Sequence, residues 1–362
     1  MSAPSQSSQV ILASRPGAGE IKSDTFKLET VDVPELQDGQ VLVRTDYVSI
    51  DPAMRGWLED VRSYLPPVKL GEVMRAGGIG TVISSKSDSI KEGQVVRTVV
   101  GERERVGCAE TVVQVGGMFG WQEYWVGSAK EVQPKTTPKG GQEVDHLGLF
   151  GMAGMTAYFG IFEIGNIKDG DHVVVSGAAG SVGLIVAQIA LAHPKCKVTA
   201  IAGSDDKCAS LKALGCHHVL NYKDADLKKK FKSTGLIDVY FDNVGGEILD
   251  LALAQLNPYA RIVCCGAISG YNSTESYGLK NTASLISMKA KMQGYIVFDH
   301  AARFAEAEAY LAQLKEKGQL KYDYHLLNGV AKCPEALQEV FAGKNYGKCL
   351  VKISKEAGSS KL

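Results

Sequence analysis

The residues best placed to do chemistry follow a short apolar run. Val173-Val174-Val175 leads into Ser176-Gly177-Ala178-Ala179-Gly180-Ser181-Val182-Gly183, which reads as a strand, a glycine-rich turn and the start of a helix. Residues without Cβ let a ligand approach the backbone, and the unpaired N–H groups at a helix start suit a pyrophosphate. Gly180, Ser181, Val182 and Gly183 are therefore the candidate cradle of a dinucleotide. The spacing G-x-x-G-x-x-G departs from G-x-G-x-x-G, so the reading rests on the strand before and the helix after. About 20 residues on, where an NAD site places an acid for the ribose 2′-hydroxyl, Ala202-Gly203-Ser204 offers none. Lys207, one helical turn later, and Tyr222, after the next strand, are candidates to meet a 2′-phosphate. NADPH is expected rather than NADH. Asp205 and Asp206 count against this, although one of them is the expected cap of a helix.

No zinc is expected. The chain has one cysteine, Cys108, and no histidine before His146, too few for a Cys-His catalytic site or a four-cysteine lobe. Cys216-His217-His218 reads as a surface turn. Without a metal to polarise an alcohol, hydride chemistry needs an already activated acceptor such as an enone or a quinone.

These groups need a parallel sheet to position them. From about residue 136, apolar runs and helical stretches alternate. The strands are His172 to Ser176, Lys197 to Ala202, Val219 to Tyr222, Asp238 to Asp242 and Arg261 to Gly266. The helices are Val182 to Ala192, Asp206 to Leu214, Ala225 to Lys232, Glu247 to Leu256 and Ala301 to Lys317. That alternation implies an α/β domain. Before it, short β-rich runs broken by Gly, Pro, Asp and Ser (Val41 to Tyr47, Gly80 to Ile83, Val95 to Val100, Thr111 to Val115, Glu123 to Val126) read as a barrel-like β domain. Tyr324 to Leu327 and Lys348 to Ile353 read as strands completing it. The expected division is 1–135 plus 326–362 for the β domain and 136–325 for the inserted cofactor domain.

Composition removes other classes. The 362 residues carry 40 Lys+Arg and 40 Asp+Glu, so the global basic footprint of a nucleic-acid binder is absent. Lys228 to Lys230 with Lys232 reads as a solvated helix face. No apolar run approaches the ~20 residues of a membrane span; the best, Leu184 to Ala192, contains Gln188. No secretory signal is expected from the N-terminal residues. The eight cysteines form no C-x-x-C pair and are expected as thiols, with Cys264 and Cys265 in a buried strand.

Several longer motifs carry a resemblance. Tyr47-Val48-Ser49-Ile50-Asp51-Pro52-Ala53-Met54-Arg55-Gly56 is similar to the Y-x-S-x-D-P-Y-M-R-G segment of zinc-independent medium-chain reductases, the group of leukotriene B4 12-hydroxydehydrogenase/prostaglandin reductase and alkenal double-bond reductases. Leu70-Gly71-Glu72-Val73-Met74-Arg75, Gly151-Met152-Ala153-Gly154-Met155-Thr156-Ala157-Tyr158, Phe241-Asp242-Asn243-Val244-Gly245-Gly246 and Gly343-Lys344-Asn345-Tyr346-Gly347-Lys348 continue it. Two departures stand out: Ala53 replaces the usual aromatic, and Gly101 to Gly116 looks like an extra segment. The resemblance implies a GroES-like β-barrel domain with an inserted Rossmann domain. It implies that Gly180 to Gly183 cradle the pyrophosphate, that Lys207 and Tyr222 hold the 2′-phosphate, and that Asn243 lies at the cofactor. Cys265, Gly266, Ala267, Ile268, Ser269 and Tyr271 would line the nicotinamide half, with Met155 and Thr156 approaching it. The backbone of Tyr295, Ile296, Val297 and Phe298 would face the carboxamide, and Asn345 would close over the cofactor.

The expected chemistry is hydride addition from NADPH to the β-carbon of an α,β-unsaturated aldehyde or ketone. Tyr271 is the expected donor to the resulting enolate oxygen, with the ribose 2′-hydroxyl as a second donor and Tyr64 contacting substrate from the other domain. A quinone reductase, and a cofactor-binding protein without turnover, are the alternatives. The resemblance implies a homodimer through the cofactor domains, and Lys291 to Phe298, read as an apolar edge strand, is the candidate surface. The terminal Ser360-Lys361-Leu362 matches the signal read by the peroxisomal import receptor, so a peroxisomal address is expected, with or without a cytoplasmic pool.

Overall fold

The computed structural model describes the backbone of residues 4–98, 103–106, 110–113 and 118–354. Ser360 to Leu362 and Cys108 lie outside the described residues. Of the segment 101–116, a hairpin is described: Arg103–Val106 pairs antiparallel with Glu110–Val113.

The α/β half is a six-stranded parallel sheet. Its spatial order is His218–Asn221, Lys197–Ala202, His172–Val175, Ile237–Asp242, Leu256–Cys264 and Lys291–Gly294. The chain order reverses between His172–Val175 and Ile237–Asp242, which places a ligand crevice beyond their carboxyl ends. His172–Val175 is buried at every residue, as expected of a strand covered by helices on both faces. Helix Ser181–Ala192 is apolar almost all round and buried from Gly183 to Ala190, so packing rather than amphipathicity holds it. Its polar residue Gln188 is satisfied: Nε2 donates to the Leu184 and Lys321 carbonyls (3.0 and 2.8 Å), and Oε1 accepts from the Lys321 N–H (2.8 Å). Among the described residues, no helix is long and apolar enough to cross a membrane.

The other half is a seven-stranded sheet built on the strand Gln40–Ser49. The C-terminal strand Lys348–Lys352 pairs antiparallel with it, and Tyr324–Asn328 pairs parallel with Lys348–Lys352. The last strands of the chain thus complete the first sheet, and the fold is a Rossmann-type sheet carried by a separate β domain.

Several elements differ from expectation. The strand expected over Arg261 to Gly266 runs Leu256–Cys264. Cys265 and Gly266 have left it, because their N–H groups both donate to the Asp242 carbonyl (2.9 and 3.0 Å); Cys265 is therefore not a strand residue, and it and Cys264 are half-buried, not fully buried as expected. The edge strand expected over 291–298 stops at Gly294, is mostly exposed and is followed by a 3₁₀ turn over Val297–Arg303. Tyr295 turns inward instead, its hydroxyl donating to the Thr156 carbonyl (2.6 Å). Helix Cys333–Phe341 was not expected. Its buried residues Cys333, Ala336, Leu337 and Val340 recur at helical spacing, and they join the core under the N-terminal sheet. Cys216 is buried rather than on a surface turn, and burial pushes its thiol up to about 11.

Candidate active site

A cleft of about 1640 Å³ runs between the two halves. One wall is the turn after His172–Val175. Gly177 has φ +57°, a conformation glycine adopts at no steric cost. Gly180 is the N-cap of helix Ser181–Ala192. A Cβ on Gly183 would meet the Gly177 carbonyl oxygen at 2.3 Å and the Ala178 Cα at 2.8 Å; only glycine permits this close helix-to-turn packing. Gly180, Ser181, Val182 and Gly183 all line the cleft, so the cradle fits a pyrophosphate held by a helix start.

Next to it the cleft is cationic. Ser204 caps helix Asp205–Ala213, its side chain accepting from the Lys207 N–H, so neither Asp205 nor Asp206 is the expected cap; both lie inside the first turn. Asp205 is occupied by the Asn221 amide (2.8 Å). The Lys207 ammonium donates to the Gly343 carbonyl (2.6 Å). Burial lowers its pKa, and the nearby Lys223 lowers it further. Lys223 itself lies 5.9 Å from the centre of the Tyr222 ring. Lys223 was missed in the sequence, although it directly follows Tyr222. Two cations beside an aromatic face, both lining the cleft, fit a 2′-phosphate.

The end of the fourth strand is tied to the turn. Ser176 Oγ donates to Asp242 Oδ1 (2.8 Å), the Asn243 N–H donates to Ser176 Oγ (2.9 Å), and the Asn243 amide donates to the Ser176 carbonyl (2.7 Å). Asn345 Nδ2 donates to the Gly347 carbonyl (3.0 Å), and the Gly347 N–H reaches the Ala179 carbonyl (2.9 Å). The C-terminal segment thus crosses the glycine turn and brings Asn345 to the cleft.

Farther along, the cleft is lined by Met155, Thr156, Cys265, Gly266, Ile268 and Ser269, and by Tyr295 to Phe298. Ala267, expected among them, does not line it. Ala267 acts through its backbone, whose N–H donates to the Tyr271 hydroxyl oxygen (3.1 Å). Burial pushes the Tyr271 hydroxyl up and the Ala267 N–H pulls it partway back, so the phenol is protonated at neutral pH. Its oxygen is the acceptor in that bond, so its own hydrogen remains to be donated. Tyr64 comes from the other half, its ring 6.4 Å from that of Phe298. Burial pushes its hydroxyl up too, with Tyr271, Asp51 and Cys265 adding to the effect.

The N-terminal half contributes Ser49, Ile50, Asp51 and Ala53 to the cleft. Asp51 is bonded to the Ser49 hydroxyl and to Lys348. The Lys348 side chain is 1% exposed, and its ammonium also donates to the Ile50 carbonyl (3.0 Å). His146 also lines the cleft, with Nδ1 unpartnered; burial, then the Arg97 charge, lowers its pKa to about 4. Neither Lys348 nor His146 was read as belonging here.

Comparison with known proteins agrees with this geometry. Residues 8–115 match a model described as the N-terminal domain of oxidoreductase, and 181–315 match one described as zinc-binding dehydrogenase. An NADPH-dependent curcumin reductase of Escherichia coli is 32% identical, covering 95% of this chain and 96% of that one. A 2-alkenal reductase (NADP(+)-dependent) of Nicotiana tabacum is 34% identical over 93% of each. The crystal structure of CurA in complex with NADPH from Vibrio vulnificus superposes with a TM-score of 0.85 at 35% identity, covering 96% of this chain and all of that one. With a glycine-cradled crevice at the sheet's switch point and these relatives along nearly its whole length, the chain belongs to the zinc-independent group of the medium-chain dehydrogenase/reductase family.

Proposed function

We propose that this protein reduces the carbon–carbon double bond of α,β-unsaturated aldehydes and ketones with NADPH. The observation that carries the reading is the Tyr271 hydroxyl: protonated, oriented by the Ala267 N–H, and in the same cleft as the phosphate cradle. When bound, NADPH supplies the hydride that adds to the β-carbon. Gly180 to Gly183 would hold its pyrophosphate, and Lys207, Lys223 and Tyr222 would hold its 2′-phosphate. Asn243, Met155, Thr156, Cys265, the backbone of Tyr295 to Phe298 and Asn345, which line the cleft, would contact the rest of it. As charge develops on the substrate carbonyl oxygen, the Tyr271 O–H donates to it; preorganised donors of this kind act strongly where water is excluded. Tyr64 orients the substrate from the opposite wall, and Ala53 leaves room there that a larger side chain would fill. The α-carbon takes its proton from Tyr271 or from water. Oxidation of NADPH measured with an enal, with a quinone and with no acceptor tests this. Enal-dependent turnover is the expected result. Turnover with quinone alone makes the protein a quinone reductase, and none with either makes it a cofactor binder.

The reading includes a homodimer through 291–298, supported by the exposed strand Lys291–Gly294 at the edge of its sheet, since an edge strand invites pairing. Light scattering at 38.7 kDa would overturn it. It also includes peroxisomal import through Ser360-Lys361-Leu362. A fluorescent protein fused at the N-terminus should give puncta that turn diffuse when those three residues are deleted.

A further inference from the structure

The loop that carries Tyr271 is anchored differently at its two ends. Its start is held by its own half: the Ile268 N–H donates to the Asn243 carbonyl (3.3 Å), and the Ser269 N–H and hydroxyl both donate to the Val244 carbonyl (3.1 and 2.6 Å). Its far end is held from the opposite half. Arg55 Nε donates to the Asn272 side-chain oxygen (2.9 Å), across 217 positions of sequence. Arg55 lies in the short helix Met54–Trp57 and is 5% exposed. Its other donors are committed as well, to Glu59 (2.7 Å) and to the Gly17 and Gly19 carbonyls (2.6 and 3.2 Å). A guanidinium is a planar fork, so bonds in several directions fix its plane. Arg55 is therefore a rigid strut whose free edge meets the residue next to Tyr271.

We propose that Arg55 is a positioning residue for the Tyr271 hydroxyl, acting through Asn272. The strut rests on the reading of Tyr271 as the donor to the carbonyl oxygen. Because it spans the cleft, it sets the hydroxyl in place only when the two halves meet.

Asn272→Ala removes the acceptor and leaves both anchors at the start of the loop. Small misplacements of a reacting group can cost about 10²-fold, so kcat with an enal should fall by about tenfold or more in this variant. The KM for NADPH should stay within about twofold. Arg55→Lys should behave alike, and the double variant should be no worse than the worse single one. In a Tyr271→Phe background, Asn272→Ala should change kcat by less than about twofold, because no hydroxyl is left to place; a merely structural role would cost the same in both backgrounds. Amide hydrogen exchange over 268–274 should quicken in Asn272→Ala and Arg55→Lys with no substrate present. Wild-type kcat in Asn272→Ala, an equal loss with and without the Tyr271 hydroxyl, or unchanged exchange overturns the strut. Full kcat in Tyr271→Phe alone instead overturns the donor reading, and the exchange measurement then judges the strut by itself.

Discussion

The two ends of the cleft are built on different plans. At the phosphate end, Gly180, Gly183, Lys207, Tyr222 and Lys223 all belong to the parallel-sheet half, and the C-terminal segment reaches in from elsewhere, with the Gly343 carbonyl on Lys207 and the Gly347 N–H on the Ala179 carbonyl. At the reaction end, Tyr271, Cys265 and Phe298 face Asp51, Ala53 and Tyr64 across the gap, and Arg55 bridges it to Asn272. The glycines and charged side chains of the first site all come from one folded half. The second exists only where both halves meet. Cofactor recognition is thus a local property of this chain, and the geometry of reaction is a tertiary one.

The comparison can be broken most severely at the cradle. Gly183→Val should weaken NADPH binding by roughly a hundredfold or more, because its Cβ would overlap the Gly177 carbonyl. Overpacking there should also cost about 1–3 kcal/mol of stability. A cofactor titration and a thermal melt check both. Lys207→Ala should raise the NADPH KM by one to two decades, about 1.4–3 kcal/mol, and leave NADH use nearly unchanged. Equal loss with both cofactors would remove Lys207 from the 2′-phosphate. Tyr271→Phe should leave NADPH affinity intact and lower kcat for enals by tens of fold, below the ~10²–10³ of a sole oxyanion donor. If it weakened NADPH instead, the two ends would not be separable. The smallest effect concerns pH. His146 is neutral when folded, with a pKa of about 4 against 6.5, so the unfolded chain binds more protons between those values. Stability should fall modestly as pH drops through that window. His146→Gln should flatten the fall in thermal melts from pH 7 to 4.5.

Legibility in the sequence follows the same division. The cradle could be read because its glycines, its strand and its helix are contiguous, and Lys207 and Tyr222 follow at strand-to-strand spacing. Arg55 was visible as part of a motif, yet its partner lies 217 positions away, and a side-chain bond of that range leaves no periodicity to detect. Lys348 and Asp51, 297 positions apart, pose the same problem. The edge strand was overextended because Tyr295 to Phe298 look as apolar as a strand, while the inward bond of Tyr295 to Thr156 decides their path. Helix Cys333–Phe341 was within reach, since Ala336, Leu337 and Val340 repeat at helical spacing.

Cys265, placed past the strand end and into the cleft, has a consequence for survival in use. Unsaturated aldehydes and ketones, the substrates proposed above, alkylate thiolates by conjugate addition, and a cysteine lining the cleft is a group they would meet. Burial pushes the Cys265 thiol up to about 12, so at neutral pH it is held as the thiol and not as the nucleophilic thiolate. The neighbouring Cys264 is held up to about 11 for the same reason. The burial that raises the Tyr271 hydroxyl also raises these adjacent sulfurs, so under the proposed activity the two cysteines next to the cleft would stay thiols while an electrophilic substrate is bound.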